Sequence, residues 1–307
     1  MANIAIGDAI GSGFGLIRHK PLAVLLWAVV LIIAIGAQLA IFGPLYAIMV
    51  SQGLARGAGG APDFTALTPQ LMQINSLGSL ASLAALFIES VIYCAVFRAI
   101  LRPDESRWGY MRLGASEFMF FVLIFGGAFA FLIGLLVALI PIGLIIGVAA
   151  ALHAVAVAVL FGLIAGIGLI FASIYVALRF SMVGPMIVSD GKFHLFESWH
   201  ITRGKVGSLF LIALCIVAIV LVAEIVFVIV MGLVAAGAWA AVGATGAGMI
   251  AFLHQPPQAM LTGMAPFMAV FAVISGGLGA CAFAVTCAPW ARAYKDLAGP
   301  DLAATFA

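Results

Sequence analysis

The residue in this sequence best suited to chemistry is Glu89, a carboxylate within a long apolar run. It precedes Arg98 by nine residues, a distance of about 14 Å along a helix that rises roughly 1.5 Å per residue. Ser82 and Tyr93 share its helix face. Such a carboxylate could bind a proton or a cation, because ionisable groups inside a membrane are costly and mark functional sites. It could equally hydrogen-bond to neighbouring helices and hold them together.

Glu224 is the second carboxylate within an apolar run, and it follows Lys205 by 19 residues. At the helical rise this spacing is about 28 Å, which predicts a position near the outer membrane interface, where water reaches the side chain. We therefore expect a structural or solvated role for Glu224. Glu117 and Arg112 are five residues apart, and we expect them to pair locally on an interfacial helix.

Motifs of catalysis and of metal or cofactor binding are missing from the sequence. Cys94, Cys215, Cys281 and Cys287 lie inside apolar runs without a C-x-x-C pair, which argues against a metal or redox site. The sequence also lacks nucleotide-binding and zinc-protease signatures. We expect no enzyme activity, no catalytic residue, no metal, no cofactor and no nucleic-acid partner.

Three segments carry an aromatic residue four positions before an arginine, each ahead of a long apolar run. The pairs are Phe14 with Arg18, Trp108 with Arg112, and Trp199 with Arg203. At helical spacing the two residues of a pair share a face, and an aromatic ring beside a cation is favoured in the lipid headgroup layer. The candidates for contact with lipid headgroups are Arg18, Lys20, Arg112, Arg203, Lys205, Trp108 and Trp199.

The three pairs begin 94 and 91 residues apart, which indicates an internal repeat. Residues 1–307 would then form a single transmembrane domain of three units, 1–101, 102–179 and 180–307. Each unit would be one interfacial segment followed by two spans. Independent use of the same interfacial anchors would produce a similar pattern, so both interpretations stay open.

The composition places these segments in a membrane protein. Hydrophobic residues make up 66% of the chain and charged residues 8%, and the mean hydropathy is +1.31. Soluble domains carry about 25% charged residues. The first apolar run is too long for the h-region of a cleavable signal peptide, so we expect it to stay as a membrane anchor.

The apolar runs predict six spans. A segment over 4–17 is expected to lie flat in the interface, with Pro21 starting the first span. Glycines and prolines predict a loop over 51–70, and a turn is expected between Pro141 and His153. We interpret 232–253 as an outer loop or a re-entrant segment. The spans are expected at about 22–50, 71–101, 118 to the turn, the turn to 178, 206 to the low 230s, and 264–290.

The distribution of cations predicts the orientation. With six spans, twelve Lys and Arg residues fall on one side and only Arg56 on the other. The positive-inside rule then predicts that both termini lie on the cytoplasmic side of the membrane. We expect this membrane to be a bacterial-type inner membrane. A seventh span would move Arg292 and Lys295 outside, which argues against it.

Two charged segments resemble a known group of proteins. They are Arg102-Pro103-Asp104-Glu105 leading into Trp108-Gly109-Tyr110-Met111-Arg112-Leu113-Gly114, and the run from Phe196 to Lys205. The chain is similar to uncharacterised polytopic bacterial inner-membrane proteins that resemble the membrane domain of glycerophosphoryl diester phosphodiesterases. The catalytic barrel of those enzymes is absent, so the resemblance implies a membrane module without phosphodiesterase activity.

The sequence therefore predicts an all-α membrane protein of six transmembrane helices with three cytoplasmic interfacial amphipathic segments. Its function is expected to be a non-catalytic module that binds or organises lipid or a partner membrane protein. The expected partners are anionic lipids of the cytoplasmic face, a membrane protein or a second copy of the chain. The alternative is a small-solute or lipid transporter with Glu89 as its mid-membrane carboxylate, and Glu224 as a second ionisable candidate.

Overall fold

The computed structural model describes residues 4–57, 64–241 and 255–298. Within these ranges the chain is helical, with no strand. Side chains are described for residues 4–44, 72, 76–237, 255, 256 and 258–298. The helices are α1 (Ile6–His19), α2 (Pro21–Gly57), α3 (Phe64–Leu101), α4 (Ala115–Ala151), α5 (Val155–Phe180), α6 (Val183–Asp190), α7 (Leu195–Ile201), α8 (Val206–Ala241) and α9 (Pro257–Ala298), with a 3-10 turn at Arg107–Tyr110.

Six segments are long and apolar enough to cross a membrane, as the sequence predicted, and the chain is a multi-pass membrane protein. A helix satisfies its own backbone hydrogen bonds, which is what a lipid environment demands. The spans are Pro21–Pro44, Ser76–Leu101, Arg107–Ala151, Val155–Asp190, Val206–Gly237 and Gln258–Ala298.

The helices continue further than the glycines and prolines suggested. The predicted loop over 51–70 is helical at both ends, because α2 runs to Gly57 and α3 begins at Phe64. Residues 58–63 lie outside the described ranges. Pro141 lies inside α4, and the turn is confined to residues 152–154, where His153 has a φ of 58°. A single proline removes one backbone donor, and a long apolar helix can continue through it.

The prediction of a loop or re-entrant segment over 232–253 is wrong for its first part. Helix α8 continues to Ala241, and residues 242–254 lie outside the described ranges. The Gly and Ala residues after Gly232 lower the hydropathy of this stretch, so the sequence did not indicate that the helix continues through it. Alanine is nevertheless the best helix former, and the cost of a single glycine is only about 1 kcal/mol.

The centre of the molecule is formed by α2, α3 and α9, with α1 lying against α9. Trp27 of α2 and Ile92 of α3 are fully buried there, beside small residues of α9 such as Ala284. Helix α1 turns Ala9, Gly13 and Leu16 towards the bundle. The backbones come so close that a Cβ atom added to Gly13 would lie 2.7 Å from the Cα of Val285.

The hairpin of α4 and α5 lies at the periphery. Its most apolar stretches have almost no side chain buried inside the protein, and residues such as Phe129 and Ile164 are exposed. Such surfaces on spans face lipid. Helix α6 is the opposite: all residues from Val183 to Val188 are buried. Gly184 and Pro185, residue types that commonly mark a loop, therefore lie within a buried helix, where Gly184 gives room to the rings of Phe97 and Phe120.

The three segments with an aromatic residue before an arginine fold differently. Phe14 and Arg18 lie on α1 as expected. Trp108 and Arg112 do not share a helix face, because Trp108, Gly109 and Tyr110 have φ values of 51°, 64° and 66° and the chain forms a tight 3-10 turn there. Left-handed backbone conformations interrupt any α-helical spacing. The threefold repeat stays a prediction.

Candidate functional site at the basic end

The functional candidates gather at one end of the bundle, which we call the basic end. It comprises α1, the connection from α3 to α4, the connection from α5 to α8, and the last turns of α9. Lys20, directly after α1, contacts the end of α3 and the connection that follows it, because it donates hydrogen bonds to the Ala99 carbonyl (3.0 Å) and the Tyr110 hydroxyl (2.7 Å). Arg102 joins the α3–α4 connection to the α5–α8 connection by donating a hydrogen bond to the Ser189 carbonyl at 2.6 Å. Lys20, a predicted headgroup contact, is therefore engaged inside the protein.

The 3-10 turn that follows α3 orients the site. Trp27 donates an indole hydrogen bond to the Gly109 carbonyl at 2.8 Å. Gly109 has a φ of 64°, and an added Cβ would approach Leu26 to 3.1 Å, so a glycine is required here. The turn directs Tyr110 into the core and Trp108 outward, where it is 82% exposed. Trp108 is therefore at the protein surface, and its contact with lipid headgroups stays a prediction.

Arg98 and Glu117 form a buried ion pair beneath this turn. Their Nη2 and Oε1 atoms are 2.5 Å apart, and the side chains are 5% and 1% exposed. Arg98 also donates to the Tyr110 carbonyl at 2.6 Å. The predicted local pair of Glu117 with Arg112 is wrong. Glu117 lies in the first turn of α4 and points inward, whereas Arg112 precedes that helix and lies at the surface.

Arg112 pairs instead with Glu105. Its Nη1 atom lies 3.0 Å from the Glu105 Oε2 atom, and the two side chains are 46% and 31% exposed. Glu105 is shared, because Arg102 reaches it at 3.4 Å and Arg98 at 3.9 Å. This arginine cluster (Arg98, Arg102 and Arg112) therefore contacts two carboxylates, Glu105 and Glu117, and a third carboxylate, Asp190, lies beside it.

A polar cavity of about 290 Å³ opens beside the arginine cluster. It reaches the N-terminus of α4, where Gly114 provides no side-chain cap for the first turn. Free backbone N–H groups and the helix dipole favour an anion at such a position. The cavity is lined by Arg98, Arg102, Arg112, Leu113, Gly114, Ala115, Ser116, Glu117, Val188, Asp190 and Gly191.

A larger groove of about 640 Å³ lies on the other side of Arg112. Its walls are mostly apolar, and Arg112 is its only charged residue. Arg112 and Leu113 line both spaces, so this short segment separates a polar cavity from an apolar groove. The groove is lined by Val30, Phe87, Ile88, Val91, Trp108, Met111, Arg112 and Leu113.

A third cavity of about 290 Å³ lies where the central helices meet the peripheral ones. Aromatic residues dominate its lining, including Tyr93, Phe120 and Trp290. Glu89 is half-buried on α3, one turn before Tyr93, and lines none of these three cavities. Glu224 is exposed near the middle of α8, and its position near the outer membrane interface stays a prediction.

A second buried arginine, Arg179, lies in the last turn of α5 and is 5% exposed. Its guanidinium donates to the Thr202 hydroxyl at 3.3 Å and lies 4.4 Å from the Trp199 ring centroid and 5.7 Å from that of Tyr175. The Ser198 hydroxyl donates to the Arg179 carbonyl at 2.8 Å. Trp199 therefore stacks on Arg179 and not on Arg203, because α7 ends at Ile201.

The remaining predicted residues lie on the surface of the basic end. Arg18 and Arg203 are exposed, and Lys205 is half-buried. His194 lies between two carboxylates, with Asp190 at 3.2 Å and Glu197 at 2.6 Å. Over the described residues, no group of three or more His, Cys, Asp and Glu side chains could hold a metal ion.

Sequence reasoning did not single out Arg98 and Arg179 as site residues, although one signal pointed to them. Each lies at the end of a predicted even-numbered span, and each follows an aromatic residue: Phe97 directly precedes Arg98, and Tyr175 lies four residues before Arg179. Their partners come from later segments of the chain, so helical spacing alone could not identify them. No family model, no curated protein and no solved structure matches this chain.

Proposed function

We propose that this protein is a non-catalytic module of a bacterial-type inner membrane that binds an anionic phospholipid at its basic end. One observation carries the proposal: Arg112 and Leu113 line both a polar cavity that contains three arginines and an apolar groove. A phospholipid has the matching form, with a charged phosphate joined to long apolar chains. The groove has a volume of about 640 Å³, within the range of ligand sites, roughly 300–1,000 Å³.

In this arrangement the phosphate lies against Arg112, Arg102 and the N-terminus of α4. Arginine suits a phosphate, because its planar guanidinium offers paired donors. An acyl chain then occupies the groove between α2 and α3, beside Phe87 and Val91. The exposed indole of Trp108 lies at the level of the headgroups.

The orientation that goes with this proposal has the basic end and both termini in the cytoplasm. Twelve of the thirteen Lys and Arg residues belong to that side in a six-span chain. Anionic lipids of the inner leaflet attract such a surface, at about 1 kcal/mol per cation. Fusing a reporter enzyme that is active only in the cytoplasm to each terminus tests the orientation. Inactive fusions at both ends would reverse it.

Lipid retention tests the binding site. The protein is extracted gently from its own membrane, and native mass spectrometry identifies the lipids that stay bound. Delipidated protein is then titrated with dioleoyl phosphatidylglycerol or dioleoyl phosphatidylcholine. We expect the former to bind with higher affinity and Arg112→Gln to lose most of that preference.

Two further variants make the result specific. Arg18→Gln removes an exposed cation of α1 that lines neither cavity, so it should bind phosphatidylglycerol like the unaltered protein. Val30→Trp fills the apolar groove without a change of charge and should also weaken binding. Equal binding of both lipids, or equal losses from Arg112→Gln and Arg18→Gln, would refute the site.

Transport is the second candidate function, and the aromatic cavity favours it. Tyr93 lines that cavity and lies one helical turn after Glu89, so a solute between the spans would lie near a mid-membrane carboxylate. Proteoliposome uptake of lipid or of small solutes that is lost in Glu89→Gln would support a transporter. Intact lipid retention by Glu89→Gln, without uptake by either protein, would favour the binding module.

A further inference from the structure

Arg179 presents a buried positive charge without a carboxylate partner. In the described part of the chain, no Asp or Glu oxygen lies within 4.0 Å of its guanidinium. Among the described residues, the only hydrogen bond that this side chain donates goes from Nη1 to the Thr202 hydroxyl. Its Nε atom is buried and has no hydrogen-bond partner.

The surroundings offset only part of the cost of burying this charge. A guanidinium has five N–H donors, and an unpaired buried charge is strongly unfavourable. The Trp199 and Tyr175 rings contribute attraction through their π faces. The C-terminus of α5 adds the negative end of a helix dipole. None of these groups carries a full negative charge.

The position of Arg179 indicates where an anion would come from. The residues of α5 that precede it, such as Phe171 and Tyr175, are apolar or aromatic and exposed. In a membrane they face lipid chains, whereas Tyr175 and Trp199 are of the types that mark the headgroup layer. A lipid lying along α5 would bring its phosphate to the level of Arg179.

We propose that Arg179 is the centre of a second anion site, which takes a phosphate group as the counter-ion of its buried guanidinium. Trp199 and Tyr175 flank the site, and Thr202 fixes the orientation of the guanidinium. The ligand chemistry is a phosphate oxygen, supplied by a phospholipid headgroup or by free phosphate. The site uses none of the residues that line the Arg112 cavities, so it can exist whether or not lipid binds at Arg112.

Binding to delipidated protein in detergent tests this site, with dioleoyl phosphatidylglycerol and inorganic phosphate as separate probes. Native mass spectrometry counts the bound lipids, and the thermal midpoint follows each titration. We expect Arg179→Gln to bind one phosphatidylglycerol fewer, while Arg112→Gln loses a different one and the double variant loses both. Lys192→Gln is the matched control, because it removes an exposed cation from the same connection.

The two probes distinguish the sources. A rise of the midpoint with phosphatidylglycerol alone, absent in Arg179→Gln, identifies a lipid headgroup. A rise with inorganic phosphate, also absent in that variant, identifies free phosphate. Either result supports the site. Equal binding of both probes by Arg179→Gln and the unaltered protein would overturn it.

A conservative variant keeps the test valid if Arg179→Gln fails to fold. Arg179→Lys retains the charge but loses the paired donors, so phosphatidylglycerol should bind roughly tenfold more weakly. Trp199→Phe keeps an aromatic ring with less attraction for a cation and should have a smaller effect. Unchanged affinity in Arg179→Lys would contradict the proposal.

Discussion

Arg98 and Arg179 lie in corresponding places, each in the last turn of a long helix, α3 or α5, and each 5% exposed. Both benefit from the negative end of a helix dipole. The connection after α3 gives Arg98 the carboxylate of Glu117 and the Tyr110 carbonyl. The connection after α5 gives Arg179 two aromatic rings and the Thr202 hydroxyl. The same residue at the same position is thus neutralised in one case and left with its charge in the other.

This difference separates two uses of a buried cation. The pair of Arg98 with Glu117 closes a contact between the end of α3 and the start of α4, so it fixes the geometry of the arginine cluster. Arg179 fixes α7 against α5 through Trp199, and its charge stays available for an external anion. Substitutions at both places show whether the distinction holds.

The largest expected effect is the loss of Arg98. Arg98→Met leaves the buried carboxylate of Glu117 without its cationic partner. We therefore expect a decrease of roughly 3–5 kcal/mol in the free energy of unfolding. Arg179→Met leaves no stranded carboxylate and should cost clearly less. Unfolding in mixed micelles of increasing denaturing detergent measures both values.

The double variant Arg98→Met with Glu117→Leu serves as the control for this prediction. Replacing a buried ion pair by apolar residues is often neutral or stabilising, so the double variant should recover most of the stability that Arg98→Met loses. Equal losses from Arg98→Met and Arg179→Met would remove the distinction between the two sites.

The next prediction compares the two connections at a glycine of each that has a left-handed backbone conformation. Gly109 has a φ of 64° and lies against Leu26, whereas Gly204 has a φ of 76° and an open space around its Cα. An alanine in a left-handed conformation costs about 1–2 kcal/mol. Gly204→Ala should lose only that amount, and Gly109→Ala should lose more because the neighbouring Leu26 side chain must move.

Thermal midpoints of the two glycine variants in the same detergent provide the comparison. Gly109→Ala should also weaken phosphatidylglycerol binding, because the turn positions Arg112 at both cavities. A Gly204→Ala variant that is the less stable of the two would show that packing against Leu26 does not matter.

Substitution of Trp199 tests the cation–π attraction that Arg179 has in place of a carboxylate partner. Trp199→Leu keeps an apolar side chain but removes the ring face, and we expect a loss of about 1–2 kcal/mol, as for a largely desolvated cation–π contact. The loss should become small in an Arg179→Met background, where no cation remains. Two losses of equal size, in a double-mutant cycle of unfolding free energies, would indicate that Trp199 acts by packing alone.

The smallest effect on stability should come from Arg112. Its pair with Glu105 is exposed, and such pairs contribute about 0–1 kcal/mol. Arg112→Gln should therefore unfold close to the unaltered protein in low and high salt, although it impairs lipid binding. A large drop in stability would make Arg112 a structural residue and not a ligand-binding one.

Much of the fold could be predicted from composition and charge. Long apolar stretches bounded by cations identified six spans, because a bilayer imposes length and polarity on any helix that crosses it. The end of α8 was missed, since Gly and Ala residues weaken hydropathy without breaking a helix. Helix α6 was missed because Gly184-Pro185 resembles a loop signal, whereas the buried Gly184 serves close packing.

The candidate site was harder to predict. Trp108 and Arg112 are exposed, and their contact with lipid headgroups stays a prediction, but their spacing suggested a helix that the chain does not form. The left-handed turn at Gly109 rearranges the partners, so that Glu117 reaches Arg98 and Arg112 reaches Glu105. Such pairings depend on how a connection folds back onto the bundle, which local periodicity does not record.

The close packing of α1 against α9 has a consequence for the order in which the helices assemble. The ribosome completes α1 long before α9, yet Ala9, Gly13 and Leu16 find their main partners on α9. Contacts between segments so distant in the chain form late. We expect α1 to rest on the membrane surface during synthesis and to dock only after α9 has inserted. A chain that stalls before α9 would then leave Ala9, Gly13 and Leu16 without their main partner.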